Sequence, residues 1–160
     1  MERVLCSMLA AALALATGGT AASEATGDYA TDLGRVYGGY QRMLAMKEAC
    51  DTAVPSRRAA NEKAFSAWQA RHRSLIEDLQ RRVTVMIRLA SRDQQEYARN
   101  LGKYEGEILQ ERQDYKEILL ALGPEELRGQ CQRVPEMLKG PGADLAKVYA
   151  SELETIRKRK

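Results

Sequence analysis

The fold turns on residues 55–122, PSRRAANEKAFSAWQARHRSLIEDLQRRVTVMIRLASRDQQEYARNLGKYEGEILQERQDYKEILLAL. After Pro55 this stretch has no proline and only two glycines, Gly102 and Gly106, and it is dense in Arg, Glu, Gln, Ala and Leu, the residues that lose least on entering a helix. Phe65, Trp68, His72, Leu75, Leu79, Val83, Met86 and then Leu89 or Ala90 recur at steps of three and four. That spacing predicts one inward helix face, which carries the only Trp and the only Phe of the chain. Residues 91–96, SRDQQE, contain no apolar side chain. The stripe resumes at Tyr97, Leu101, Tyr104, Ile108, Tyr115, Ile118 with Leu119, and Leu122, displaced by four residues from a strict heptad. A continuous helix would need a stutter and would be about 100 Å long. The expectation is therefore a break, with Ser91 and Gln94, or Asp93 and Glu96, as the capping pair. Residues 56–92 carry nine basic and three acidic side chains, residues 93–122 four basic and seven acidic, so two antiparallel arms would attract. The fold class is all-α: a small bundle of four or five helices with a central long, coiled-coil-like hairpin, tied by one disulfide.

Outward from this hairpin the elements are shorter and are expected to lie against it. Upstream, Tyr29, Leu33, Val36 with Tyr37, Tyr40, Met43 with Leu44, and Cys50 mark an amphipathic helix that ends before Pro55. Gly34, Gly38 and Gly39 weaken it, at about 1 kcal/mol each against Ala. Pro55 suits the first turn of the following helix. Downstream, Gly123-Pro124 stops the long stretch, residues 124–132 form a short helix with Leu127 and Cys131, and Val134-Pro135 begins a separate turn. Residues 139–142 are a loop, and a last helix runs from Asp144 to the basic residues 157–160. Gly34 with Gly38, and Gly102 with Gly106, are glycines four apart beside a tyrosine, and these two faces are expected to meet or lie near each other.

Residues 1–25 read as a secretion signal peptide: Met1-Glu2-Arg3, an apolar run over 4–16 too short to span a bilayer, then small residues that suit cleavage after Ala22 or Ala25. Residues 26–160 are then a single helical domain, exported to the periplasm or the extracellular space. Cys6 leaves with the signal. Cys50 and Cys131 remain and are expected to form a disulfide. Closing that loop is worth about 4–5 kcal/mol in the chain-entropy model.

The net charge of +3 is too small to decide a partner. Nucleophilic catalysis needs a base beside the nucleophile, and His72, the only histidine, sits on the apolar stripe between Trp68 and Leu75 as a core-edge residue. One His and two paired Cys cannot build a zinc site. Glu107, Glu111 and Asp114 share a helix, but the Glu-x-x-His pairs of di-iron bundles are missing. No glycine-rich phosphate loop is present. No catalytic residue, metal or cofactor is expected. The candidate binding residues are Arg71, Arg73, Arg81, Arg82 and Arg88 on one basic helix, which as a solvated face would need no partner. The pattern of Cys50, Pro55, Trp68, Cys131, Val134-Pro135 and Asp144-Leu145 resembles small exported bacterial helical proteins, a style and not a family, and implies no activity. The reading is a non-enzymatic interaction or structural module of the bacterial cell envelope, with another protein as its partner. The alternative is a periplasmic chaperone-like or anionic-surface binder, for lipid or lipopolysaccharide, that uses the Arg-rich face. Export argues against nucleic acid.

Overall fold

The computed structural model describes residues 24–159; the part of the expected signal segment up to residue 23 lies outside them. Six α-helices follow in order: α1 (Tyr29–Ala53), α2 (Arg58–Leu89), α3 (Gln94–Leu120), α4 (Pro124–Met137), α5 (Leu145–Val148) and α6 (Ala150–Lys158). Single 3-10 turns at Pro55–Arg57 and Pro141–Ala143 join α1 to α2 and α4 to α5, and the described residues contain no strand.

The break in the long stretch is present and is built by local chemistry. Asp93 caps α3: its carboxylate accepts from the Glu96 N–H at 2.8 Å. Glu96 reaches back and accepts from the Arg92 backbone N–H at 2.7 Å, one residue beyond the N-cap N–H that a capping box would use. Ser91 plays a different part. Its hydroxyl donates to the Ile87 carbonyl at 2.7 Å, finishing α2, and accepts from the Asn100 amide at 3.0 Å.

The hairpin is not the centre of the molecule. α1 is, touching α2, α3, α4, α5 and α6, while α2 and α3 touch each other little beyond their turn. Asp32, Leu33, Val36, Gly39, Tyr40, Gln41, Ala45, Ala49 and Cys50 of α1 are all buried, on more than one side of the helix. Neighbours covering several faces stabilise a helix that glycines make weak in isolation.

Against α1, α2 buries Asn61, Phe65, Trp68, His72, Ile76, Leu79, Val83 and Ile87. Ile76 and Ile87 thus replace Leu75 and Met86 of the expected stripe, and Leu89 points out. The expected stripe of α3 does face α1 but is shallow: Tyr97, Leu101, Tyr104, Ile108 and Tyr115 are half-buried, only Leu119 is buried, and Ile118 is exposed. Trp68 anchors the core at 0 % exposure, with Tyr40, Phe65 and His72 rings 5.1–6.3 Å from its own and its indole N–H donating to the Ala143 carbonyl at 2.6 Å. That bond pins the turn after α4 to α2.

Cys50 in the last turn of α1 and Cys131 in α4 form the disulfide, with Cα atoms 5.3 Å apart. Three expectations need correction. α4 runs on through Pro135, whose missing N–H falls in the final turn, where the helix forgoes one bond and continues only to Met137. The last helix is split at Tyr149, which leaves helical geometry at ψ 33° as its ring packs onto α1. The paired glycines make no close contact, since a Cβ at Gly34, Gly38, Gly102 or Gly106 would find open space, although Tyr37 and Tyr104 beside them line one cleft. The close approach is at Gly39, where a Cβ would lie 2.5 Å from the Tyr149 ring. Arg42, three residues further along α1, donates to the Tyr149 hydroxyl at 2.8 Å.

Candidate functional site

The last turns of α2 set the site by register. Val83 and Ile87 face the core, so the residues two further on, Val85 and Leu89, face away from it, because two helical steps turn by about 200°. Leu89 is 82 % exposed and Val85 48 %. With half-buried Met86 they form the apolar side of a groove of about 570 Å³ whose other walls are Tyr29 at the start of α1, Arg81 and Arg82 of α2, and Arg159 after α6.

The arginines are held by the fold. Arg82 donates from Nε to Asp78 at 2.8 Å and from Nη1 to the Ile156 and Arg159 carbonyls at 3.1 and 3.3 Å, capping the C-terminal end of α6 where carbonyls lack helical partners. Arg81 pairs with the same Asp78 carboxylate. These two guanidinium groups hold Asp78 below the usual carboxylate range despite the opposing effect of burial. Arg159 lies over the Tyr29 ring, 5.4 Å from its centroid. Three arginines and one aspartate therefore leave a net positive rim around an apolar floor.

Of the five arginines singled out from sequence, only Arg81 and Arg82 share this groove. Arg71 donates to the Leu138 carbonyl at 2.6 Å and ties α2 to the end of α4. Arg88 donates to Gln94 at 2.7 Å and lies 4.0 Å over the Tyr97 ring, bracing the α2–α3 turn. Arg73 is exposed and lines a separate cleft with Tyr40 and Gln69. In the sequence Arg159 and Tyr29 read only as part of a terminal basic cluster and of the first helix face, and Val85 is not singled out. Arg159 stood in a terminal basic run that reads as a helix-dipole complement, and Val85 has no signal except its distance from the stripe.

His72 is buried at the core edge against Trp68 and has no hydrogen-bond partner among the described residues. Burial pushes its pKa down, outweighing the attraction of Asp144, and Arg71 adds to the effect. A second cleft of about 520 Å³ brings Glu77 and Asp78 onto the same wall as His72. Asp78 is occupied by two arginines and Glu77 is exposed, so no base is oriented by a third group there. Among the described residues no three His, Cys, Asp or Glu side chains gather as a metal site, and no helix is long and apolar enough to cross a membrane. No protein-family model, curated protein or solved structure matches this chain.

Proposed function

We propose that this protein is a non-enzymatic binding module of a bacterial cell envelope, and that its working surface is the α1–α2–α6 end, which binds an anionic lipid surface. The observation that carries the reading is Leu89 and Val85 standing out of the fold beside Arg81, Arg82 and Arg159. An exposed apolar tip ringed by guanidinium groups is the arrangement that inserts shallowly below head groups while its cations pair with their phosphates. Export is the companion proposal, supported by the Cys50–Cys131 bridge, since disulfides persist in oxidising compartments.

Vesicle co-sedimentation tests it. The protein is expected to pellet with phosphatidylglycerol-containing vesicles at about 50 mM salt, to stay in the supernatant with purely zwitterionic ones, and to release as salt shortens the Debye length towards about 3 Å at 1 M. Arg81→Ala should weaken binding by about fivefold, as each lipid-facing cation is worth about 1 kcal/mol, and Leu89→Ser by at least as much, through the apolar area it no longer buries. Absence of binding to anionic vesicles at low salt overturns the reading and returns a protein partner to the front.

A further inference from the structure

Away from that end, α1 wedges between α2 and α3 and holds them apart, leaving a cleft of about 390 Å³. This size lies within the range of small-molecule sites. Val83 of α2 and Leu101, Ile108 and Leu109 of α3 give it apolar walls, and Leu109 stays 58 % exposed. Tyr37, Gln41, Gln80, Thr84 and Tyr104 supply its uncharged polar groups. Gln41 of α1 is 6 % exposed and no hydrogen bond holds its amide among the described residues. The Tyr104 hydroxyl, on the facing helix, is buried with no partner. A buried hydroxyl left unpaired costs about 1–3 kcal/mol, so Tyr104 calls for an acceptor on a ligand, and the Gln41 amide opens onto the same cleft.

Charge narrows the ligand. Arg112 lines the cleft, but its guanidinium is taken by Glu48 of α1. The other charged lining residue, Glu105, is acidic. No free cation waits for a carboxylate or phosphate. Gln41 offers one donor and one acceptor in the geometry of an amide, and the Tyr104 hydroxyl offers a donor that stays protonated, its pKa pushed up to about 12 by burial and by Tyr37, Glu111 and Glu107.

We infer that the α1–α2–α3 cleft is a binding site for a small uncharged amphiphile, an apolar body bearing an amide, with Gln41 pairing the amide and Tyr104 donating to its carbonyl. It is separate from the lipid-facing end and stands or falls without it.

The test is heteronuclear NMR titration of the full disulfide-bonded protein with N-benzylacetamide, and with phenylacetate as the anionic control. N-benzylacetamide is expected to give saturable shifts confined to the lining residues, with a Kd in the low millimolar range of about 1–10 mM for a ligand this small. Tyr104→Phe, which removes one oxygen and no packing, and Gln41→Leu should each weaken it by about fivefold or more. Phenylacetate should not saturate. The proposal is overturned if N-benzylacetamide shows no saturable shifts, if phenylacetate binds as tightly, or if both variants bind like the parent. Because Tyr104→Phe is close to isosteric, a folding failure of Gln41→Leu leaves the question answerable.

Discussion

Three glycines in one turn and a half of α1 should answer the same substitution with opposite signs. At Gly34 and Gly38 an added methyl meets nothing within 4 Å and the backbone is already helical, so Ala should stabilise by about 1 kcal/mol at each position. At Gly39 the methyl carbon would lie 2.5 Å from Cε2 and Oη and 2.7 Å from Cζ of Tyr149. That ring cannot swing freely. It is buried, its hydroxyl is held by Arg42, and its backbone is fixed between α5 and α6. Overpacking of this kind costs about 1–3 kcal/mol, which equals or exceeds the propensity gain. Urea unfolding followed by circular dichroism should place Gly34→Ala and Gly38→Ala above the parent, with melting midpoints higher by about 3–5 °C, and Gly39→Ala below it. In a Tyr149→Leu background, with the ring removed, Gly39→Ala should become neutral or stabilising, a coupling that a double-mutant cycle isolates. If Gly39→Ala stabilises as much as its neighbours, or if the cycle shows no coupling, the contact between α1 and the α5–α6 joint is not the one described.

The disulfide and the histidine give two more tests. Replacing both Cys50 and Cys131 by Ala should lower stability in urea by up to about 4–5 kcal/mol with little change in native helicity, since the bridge acts on the unfolded chain through an 81-residue separation; a loss under about 1 kcal/mol would show that this model fails here. His72 has a folded pKa below 6.5, so the unfolded chain takes up a proton that the native state refuses, and stability should fall as pH drops from about 6.5 towards the folded value. Carboxylates, ordinarily near about 4, titrate mostly below that window, so His72→Phe should flatten the slope between about pH 5 and 7; an unchanged slope refutes the assignment.

What could be read from sequence was what is decided locally. The turn at residues 91–93 was legible because a phase slip, a polar run and the Asp93–Glu96 pair coincide within six residues. The disulfide was legible because reading residues 1–25 as a signal sets Cys6 aside and leaves Cys50 and Cys131 to pair. The centrality of α1 was not. A helix covered on several sides shows little amphipathic contrast, and its small inward residues, Gly39, Ala45 and Ala49, look like weakness when they are what lets neighbours approach. In α2 the pairs Leu75-Ile76 and Met86-Ile87 offer two apolar choices at one step of the stripe, and only the direction of α1 selects the isoleucines. The groove at the α2 end was half legible: its arginines were visible as charge, but the chain positions 29, 85 and 159 meet only through the packing of α1 and α6 on α2.

The charge reversal between α2 and α3 was expected to be spent within the hairpin, which would have left the arginines with nothing to bind. With α1 between the two arms, no ion pair joins α2 to α3 among the described residues. The long-range pairs run to α1 instead, Lys47 to Glu62 and Arg112 to Glu48. Basic residues gather at the end of α2, where α6 brings Arg157, the residue after that helix is Arg159, and Asp78 is shared by Arg81 and Arg82. Like charges gathered at one end repel, and an exposed leucine among them gains nothing from the fold. On the proposed reading, an anionic surface with an apolar interior would relieve both together.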